Sequence, residues 1–277
     1  MVPGIFARTY AHRDLPELFG RIRGDGFAAV QFNLSCAGLS PLPADLPAGL
    51  PERIRREADA AGVDLCALSG TYNMAHPDPD RRAADRVGFA NVVRAAADMG
   101  VPLVTLCTGS RDPADMWRGH PENGTPEAWS AVRGELDVAL DLAGRAGLHL
   151  GVEPEPGNVV SDAAVARRLL DEVGGERLGI VLDAANLLPP EALPRQAAIV
   201  ARACVLLGPH LLLVHAKDVD AEGRVVPAGR GAVDLPGFVA AVRRAGYDGP
   251  LVGHNFAEHE APGVAAELAR LIGAGSA

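Results

Sequence analysis

The chain has few aromatic side chains, little lysine and no paired cysteine motif, and each shortage narrows its possible roles. Two Trp, three Tyr and seven Phe among 277 residues leave the core to Ala, Val and Leu. The four cysteines, Cys36, Cys66, Cys107 and Cys204, are far apart. The absence of a CxxC pair speaks against a zinc knuckle or a disulfide scaffold, and predicts small buried thiols in a reducing compartment. The basic residues are scattered and the net charge is −9. That balance speaks against nucleic acid or an anionic membrane as a partner, since phosphate binding needs clustered Lys and Arg. Arg53, Arg55 and Arg56 share one predicted helix and read as a solvated face. No apolar run reaches signal-peptide or transmembrane length. The expectation is a cytoplasmic protein with no membrane partner.

The chain has 48% apolar and 22% charged residues, an ordinary globular balance. Short apolar runs alternate with longer Ala-rich amphipathic ones. Strands are predicted at 3–8, 27–33, 63–69, 101–107, 147–153, 178–183, 210–215 and 250–254. Helices are predicted near 14–24, 48–61, 80–99, 126–145, 161–173, 190–207, 234–245 and 262–273. Alternation of this kind requires a parallel sheet, because parallel neighbours need crossovers. Eight βα units in this length fit a closed (β/α)8 TIM barrel, a single α/β domain over 1–277. A doubly wound sheet would carry a GxGxxG turn after its first strand, and none occurs. Thr125-Pro126-Glu127 and Ser161-Asp162 read as helix starts. Gly62, Gly100, Gly147, Gly174 and Gly246 fall near helix ends, where left-handed caps are expected. The longest irregular stretch, 108–125, is a loop of the length that barrels use for function.

Barrel enzymes place their chemistry at the C-terminal ends of the strands. Side chains alternate along a strand with period two. If Leu148, Leu150 and Val152 face the helices, Gly151 and Glu153 face inward. Likewise Ile180 and Leu182 outside put Val181 and Asp183 inside. Leu212 and Val214 outside leave Leu213, His215 and Lys217 inside; Leu251 and Gly253 outside leave Val252 and His254 inside. Glu153, Asp183, His215 and His254 therefore end four successive strands on one rim. Two carboxylates and two imidazoles suit a divalent cation: Mn, Zn, Co or Fe, and Mg less well. The structural alternative is that these groups pair among themselves or with Arg and Lys.

Several segments carry a resemblance: Val152-Glu153-Pro154-Glu155-Pro156, Val181-Leu182-Asp183-Ala184-Ala185-Asn186, His215-Ala216-Lys217-Asp218 and Tyr247-Asp248-Gly249-Pro250-Leu251. In these segments and their order the chain resembles the sugar phosphate isomerase/epimerase superfamily, the xylose-isomerase-like TIM barrels. The resemblance implies a metal held by Glu153, Asp183 and His215, with His254 where the family's epimerases have Glu. A family Asp-x-x-His also becomes Asp183-Ala184-Ala185-Asn186. It implies a metal-dependent isomerase or epimerase of a sugar, keto-sugar or polyol, acting through an enediolate. Glu153 would take the proton, with Glu155 as its substitute. Lys217, His76 or a water at the metal would be the second proton carrier. Loss of a β-hydroxyl from the same enediolate would make a dehydratase or lyase instead. Two other readings stay open: an apurinic endonuclease-like nuclease, against which the acidic surface and scarce lysine speak, and a non-catalytic sugar-binding barrel.

Further loop residues are candidates for contact with sugar hydroxyls. They are Gln31 and Asn33, with inward parity at the end of the second strand, Asn73 and His76 after the third, and Thr108 and Arg111 after the fourth. Glu155, Asn186, Asp218 and Arg230 complete the set. Trp117 is a candidate cap for a sugar face, and Ala-rich outer helices leave room for a homo-oligomer.

Overall fold

The computed structural model describes residues 1–11 and 14–274. Eight parallel strands close into a barrel: β1 (Pro3–Phe6), β2 (Ala29–Phe32), β3 (Asp64–Ser69), β4 (Leu103–Leu106), β5 (His149–Val152), β6 (Leu178–Asp183), β7 (Leu211–Ala216) and β10 (Leu251–Gly253). Parallel pairing runs through all eight in chain order, and β10 closes onto β1 with Gly4 opposite Val252. A short antiparallel hairpin, β8 (Asp218–Val219) with β9 (Val225–Val226), follows β7. Among the described residues, eight α-helices surround the barrel: α1 (Leu15–Gly24), α2 (Leu50–Ala61), α3 (Pro79–Asp98), α4 (Pro126–Arg145), α5 (Ala163–Val173), α6 (Gln196–Leu207), α7 (Leu235–Arg244) and α8 (Ala261–Gly273). The chain is thus a single-domain TIM barrel. Among the described residues, no helix is long and apolar enough to cross a membrane.

Local chemistry sets the element ends. The Thr125 hydroxyl accepts from the Ala128 N–H, and the Asp162 carboxylate accepts from Ala164 and Val165 N–H. All five glycines expected at helix ends have positive φ. The helix expected from 190 divides in two: Pro190–Arg195 is a 3-10 turn, and α6 begins only at Gln196. Pro194 lacks the N–H that a continuous α-helix would need there.

Apolar side chains pack on both sides of the strands. Ile180, Leu182, Val214 and Leu251 join the large outer cluster under the helices, while Ala67, Leu103, Val181, Leu213 and Val252 fill the barrel interior. Leu212 departs from its expected outward position and packs against the inner cluster. The pairing of β6 and β7 slips there, from Ile180–Leu211 to Val181–Leu213. This bulge gives Leu212 no partner of its own. Beyond it the alternation resumes, so the C-terminal ends keep their expected parity.

Candidate metal centre and active site

The strand ends bring four chemical groups to one place. Asp183 is directly paired with His215 in the sheet, and His215 with Val252, two residues before His254. Glu153 follows β5, its N–H bonded to Leu106 O at 2.8 Å. One donor atom from each of Glu153, Asp183, His215 and His254 lies within 4.8 Å of every other, and all four residues are buried. The two imidazole rings are 4.5 Å apart, centre to centre.

Neighbours orient these groups. Gln31 donates from Nε2 to Thr105 Oγ1 at 3.1 Å, which turns its Oε1 toward His215 Nε2 at 2.7 Å. A carbonyl oxygen only accepts, so His215 carries a proton on Nε2. Its Nδ1 then faces Glu153 Oε1 at 3.2 Å. That approach needs a shared proton or a metal ion between the two atoms. A metal-binding histidine is ordinarily held in this way through its other nitrogen. Across the site, His254 Nε2 lies 2.8 Å from Asp183 Oδ2. Two carboxylates and two imidazoles with one orienting amide fit a divalent cation of the borderline transition-metal type.

Burial opposes every charge in this cluster. Against it, His215 and its hydrogen bond keep the Glu153 carboxyl below its ordinary range. Lys217 and then His254 outweigh burial to hold Asp183 well down. Glu153 overcomes burial to raise His215, whereas burial and the nearby His215 lower His254. Burial and the adjacent Glu153 push Glu155 up to about 7. Lys217 is the chain's single lysine. It donates to Asn186 Oδ1 and lies 3.6 Å from Asp183 and 3.9 Å from Glu155. These acids raise its pKa despite burial. Asn186 donates in turn to Glu153 Oε1 at 2.9 Å, which links lysine, amide and carboxylate.

Above the cluster opens a cavity of about 820 Å³, lined by Glu153, Glu155, His215 and His254 among others. Gln31, Thr105, Cys107 and Arg8 also line it. Thr105 and Cys107 share the inward parity of Leu103, the signal in β4 that sequence reasoning passed over. Trp117 stands at the mouth, 52% exposed.

Eight residues expected at the sugar lie outside this lining; one of them, Asn186, bridges Lys217 and Glu153. Asn33 accepts the Ser35 N–H and caps the 3-10 turn Leu34–Ala37. The Asn73 amide clasps both the N–H and the carbonyl of Ser110. His76 is bonded to Pro113 O and the Asp78 N–H. Thr108 accepts the Val160 N–H with its hydroxyl, and Arg111 donates to Ala75 O and pairs with Glu122. Arg230 is an exposed partner of Glu260. Asp218, fully buried, accepts N–H bonds from Val219, Gly229, Gly231 and Val233. Apart from Asn186 and Arg230, these side chains hold loop backbone, because buried backbone donors must find acceptors. Asp218→Ala should therefore cost about 3 kcal/mol, since each stranded buried donor costs about 1–3 kcal/mol. Denaturant unfolding followed by circular dichroism measures this directly.

A family model described as xylose isomerase-like TIM barrel matches residues 19–273. The chain belongs to this family. No curated protein matches it in sequence. Solved structures share the fold at low identity. The 3-keto-D-glucoside 4-epimerase of E. coli is 19% identical with a TM-score of 0.75, the match covering 99% of each chain. An IolI protein with a bound zinc atom is 15% identical with a TM-score of 0.75, again covering 99% of each chain. A xylose isomerase-like TIM barrel/4-hydroxyphenylpyruvate dioxygenase fusion protein is 18% identical with a TM-score of 0.72, matching 98% of this chain and 42% of that one. The present chain thus spans less than half of the fusion. In this chain, four strand ends of the xylose isomerase-like barrel carry two acids and two imidazoles.

Proposed function

We propose that the protein is a metal-dependent isomerase or epimerase of a sugar, keto-sugar or polyol. The observation that carries this reading is a buried four-donor cluster at the base of a wide cavity with hydroxyl and amide groups in its wall. Names among the structural neighbours agree with it, including a D-psicose 3-epimerase and a D-tagatose 3-epimerase-like protein. Glu153, Asp183, His215 and His254 would hold a divalent ion. Such an ion supplies positive charge that lowers the cost of an anion developing on a ligand's oxygens.

The chain's own residues divide the remaining work. Asn186 and His215 engage Oε1 of Glu153, which leaves Oε2 as the proton acceptor. A proton on the carbon beside a carbonyl passes to this oxygen, and the C–H electron pair moves toward the carbonyl oxygen as an enediolate. Return of the proton to the neighbouring carbon gives an isomer; return to the same carbon on its other face gives an epimer. Glu155 lines the cavity and serves as the second proton carrier, with Lys217 behind it. Lys217 is not part of the lining, so we assign it to positioning and charge balance rather than to direct contact. His76 is committed to its loop and takes no part in proton transfer.

The test is deuterium exchange. The protein, loaded with Mn or Zn, is incubated in D2O with ketohexoses and keto-inositols, and proton NMR follows the carbon beside the carbonyl. Exchange that requires the metal supports the reading. Complete metal loading with no exchange across the panel contradicts it.

A further inference from the structure

The cavity has two kinds of wall. Its deep part is polar, with Gln31 and Thr105 both almost fully buried. Its mouth carries Trp117, Val225, Pro227 and Phe256. Trp117 and Val225 are 52% and 45% exposed, and they are among the few large apolar side chains left open to solvent. Exposed apolar side chains gathered at one opening mark a surface awaiting a partner.

The backbone at both positions is anchored, so their exposure is not a sign of loose loops. A side chain at Gly157 would come within 2.0 Å of the Trp117 carbonyl oxygen, so only glycine allows this approach. Asn158 holds the preceding residue by donating to Met116 O at 3.0 Å, and the Trp117 N–H is bonded to Asp115 Oδ1 at 3.0 Å. Val225 pairs with Val219 across the hairpin, whose base is clamped by Asp218. The chain fixes both backbones while leaving the two side chains uncovered. Size points the same way. A cavity of about 820 Å³ lies toward the upper end of the roughly 300–1,000 Å³ usual for small-molecule sites, which leaves room beyond a single sugar ring.

We infer that the ligand is a keto-sugar ring bearing a second, apolar group, an aryl or alkyl glycoside whose ring ketone stays free for the enediolate, with the ring in the polar base and the apolar group against Trp117 and Val225. This inference deepens the reading of the cavity as a sugar site and rests on it for the ring's placement. Aromatic side chains gain from contact with flat apolar groups, and Trp offers the largest such surface.

Binding tests it without turnover. Methyl β-D-glucoside, phenyl β-D-glucoside and D-glucuronic acid are titrated calorimetrically into the metal-loaded protein. The phenyl glycoside should bind about tenfold tighter than the methyl glycoside. In Trp117→Ala and Val225→Ser that ratio should collapse toward one. Equal affinities in the unsubstituted protein, a preference that survives both substitutions, or no binding of either glycoside would overturn the inference. Tightest binding of the uronic acid, lost in Arg8→Gln, would also overturn it and give the mouth to an anion. Exchange of free sugars in D2O decides the proposed reaction separately, so the two can fail independently.

Discussion

Glu153→Gln is expected to reduce deuterium exchange about 10³-fold, within the 10²–10⁴ that a positioned acid–base group contributes. The replacement keeps the shape and one carbonyl oxygen, so Asn186 and His215 retain an acceptor where Oε1 stood. It removes the second carboxylate oxygen, which faces the cavity beside Cys107 at 4.0 Å. An amide nitrogen there cannot accept a proton. Three of the four donors to the ion remain, so metal content should stay largely intact. The loss must therefore appear as exchange rate, measured at full metal loading. A variant that exchanges at the original rate would remove Glu153 from the reaction and leave Glu155 as the acceptor.

The second large effect is on stability. Asp183→Ala should destabilise the metal-free protein by about 3–5 kcal/mol, the usual cost of stripping one partner from a buried ion pair. The Asp183 side chain is fully buried and lies beside both His254 and Lys217. Without it, Lys217 keeps the looser contact with Glu155, at 3.9 Å, and the more distant charge of Glu153. Asp183 also accepts the Ala185 N–H at 2.9 Å, and that donor is stranded too. For a chain of this size the change corresponds to a fall in Tm of about 10 °C. The measurement is thermal unfolding in a chelator, so that metal binding adds nothing to either protein. Lys217→Met combined with Asp183→Ala should recover part of the loss, because it removes the unpaired charge. A single variant as stable as the unsubstituted protein would show that the ion pair does not hold this region.

The fold was legible because two periodicities agreed: alternating apolar runs with long Ala-rich ones, repeated eight times. The four strand ends were legible for the same reason, since period-two alternation needs only local sequence. It misplaced Leu212, where a bulge inserts a residue that no pattern marks. The loop residues were harder. Asn73 looks like a sugar-binding amide, but its partner is the backbone of Ser110, 37 positions along the chain. Asp218 likewise meets donors as far away as Val233. A polar side chain satisfied by distant backbone has the same sequence signature as one waiting for a ligand. Gln31 carried the inward parity that linked it to the site, whereas its particular task, aiming His215, depends on a contact across 184 positions.

The claim underneath all of this is a divalent cation shared by the two acids and two imidazoles at the barrel's open end. Crystals grown with Mn or Zn and measured at the metal's absorption edge test it most directly. The account predicts one strong anomalous peak within bonding distance of Glu153, Asp183, His215 and His254. A peak elsewhere, or none while the His254–Asp183 and His215–Glu153 pairs stay closed, would contradict it.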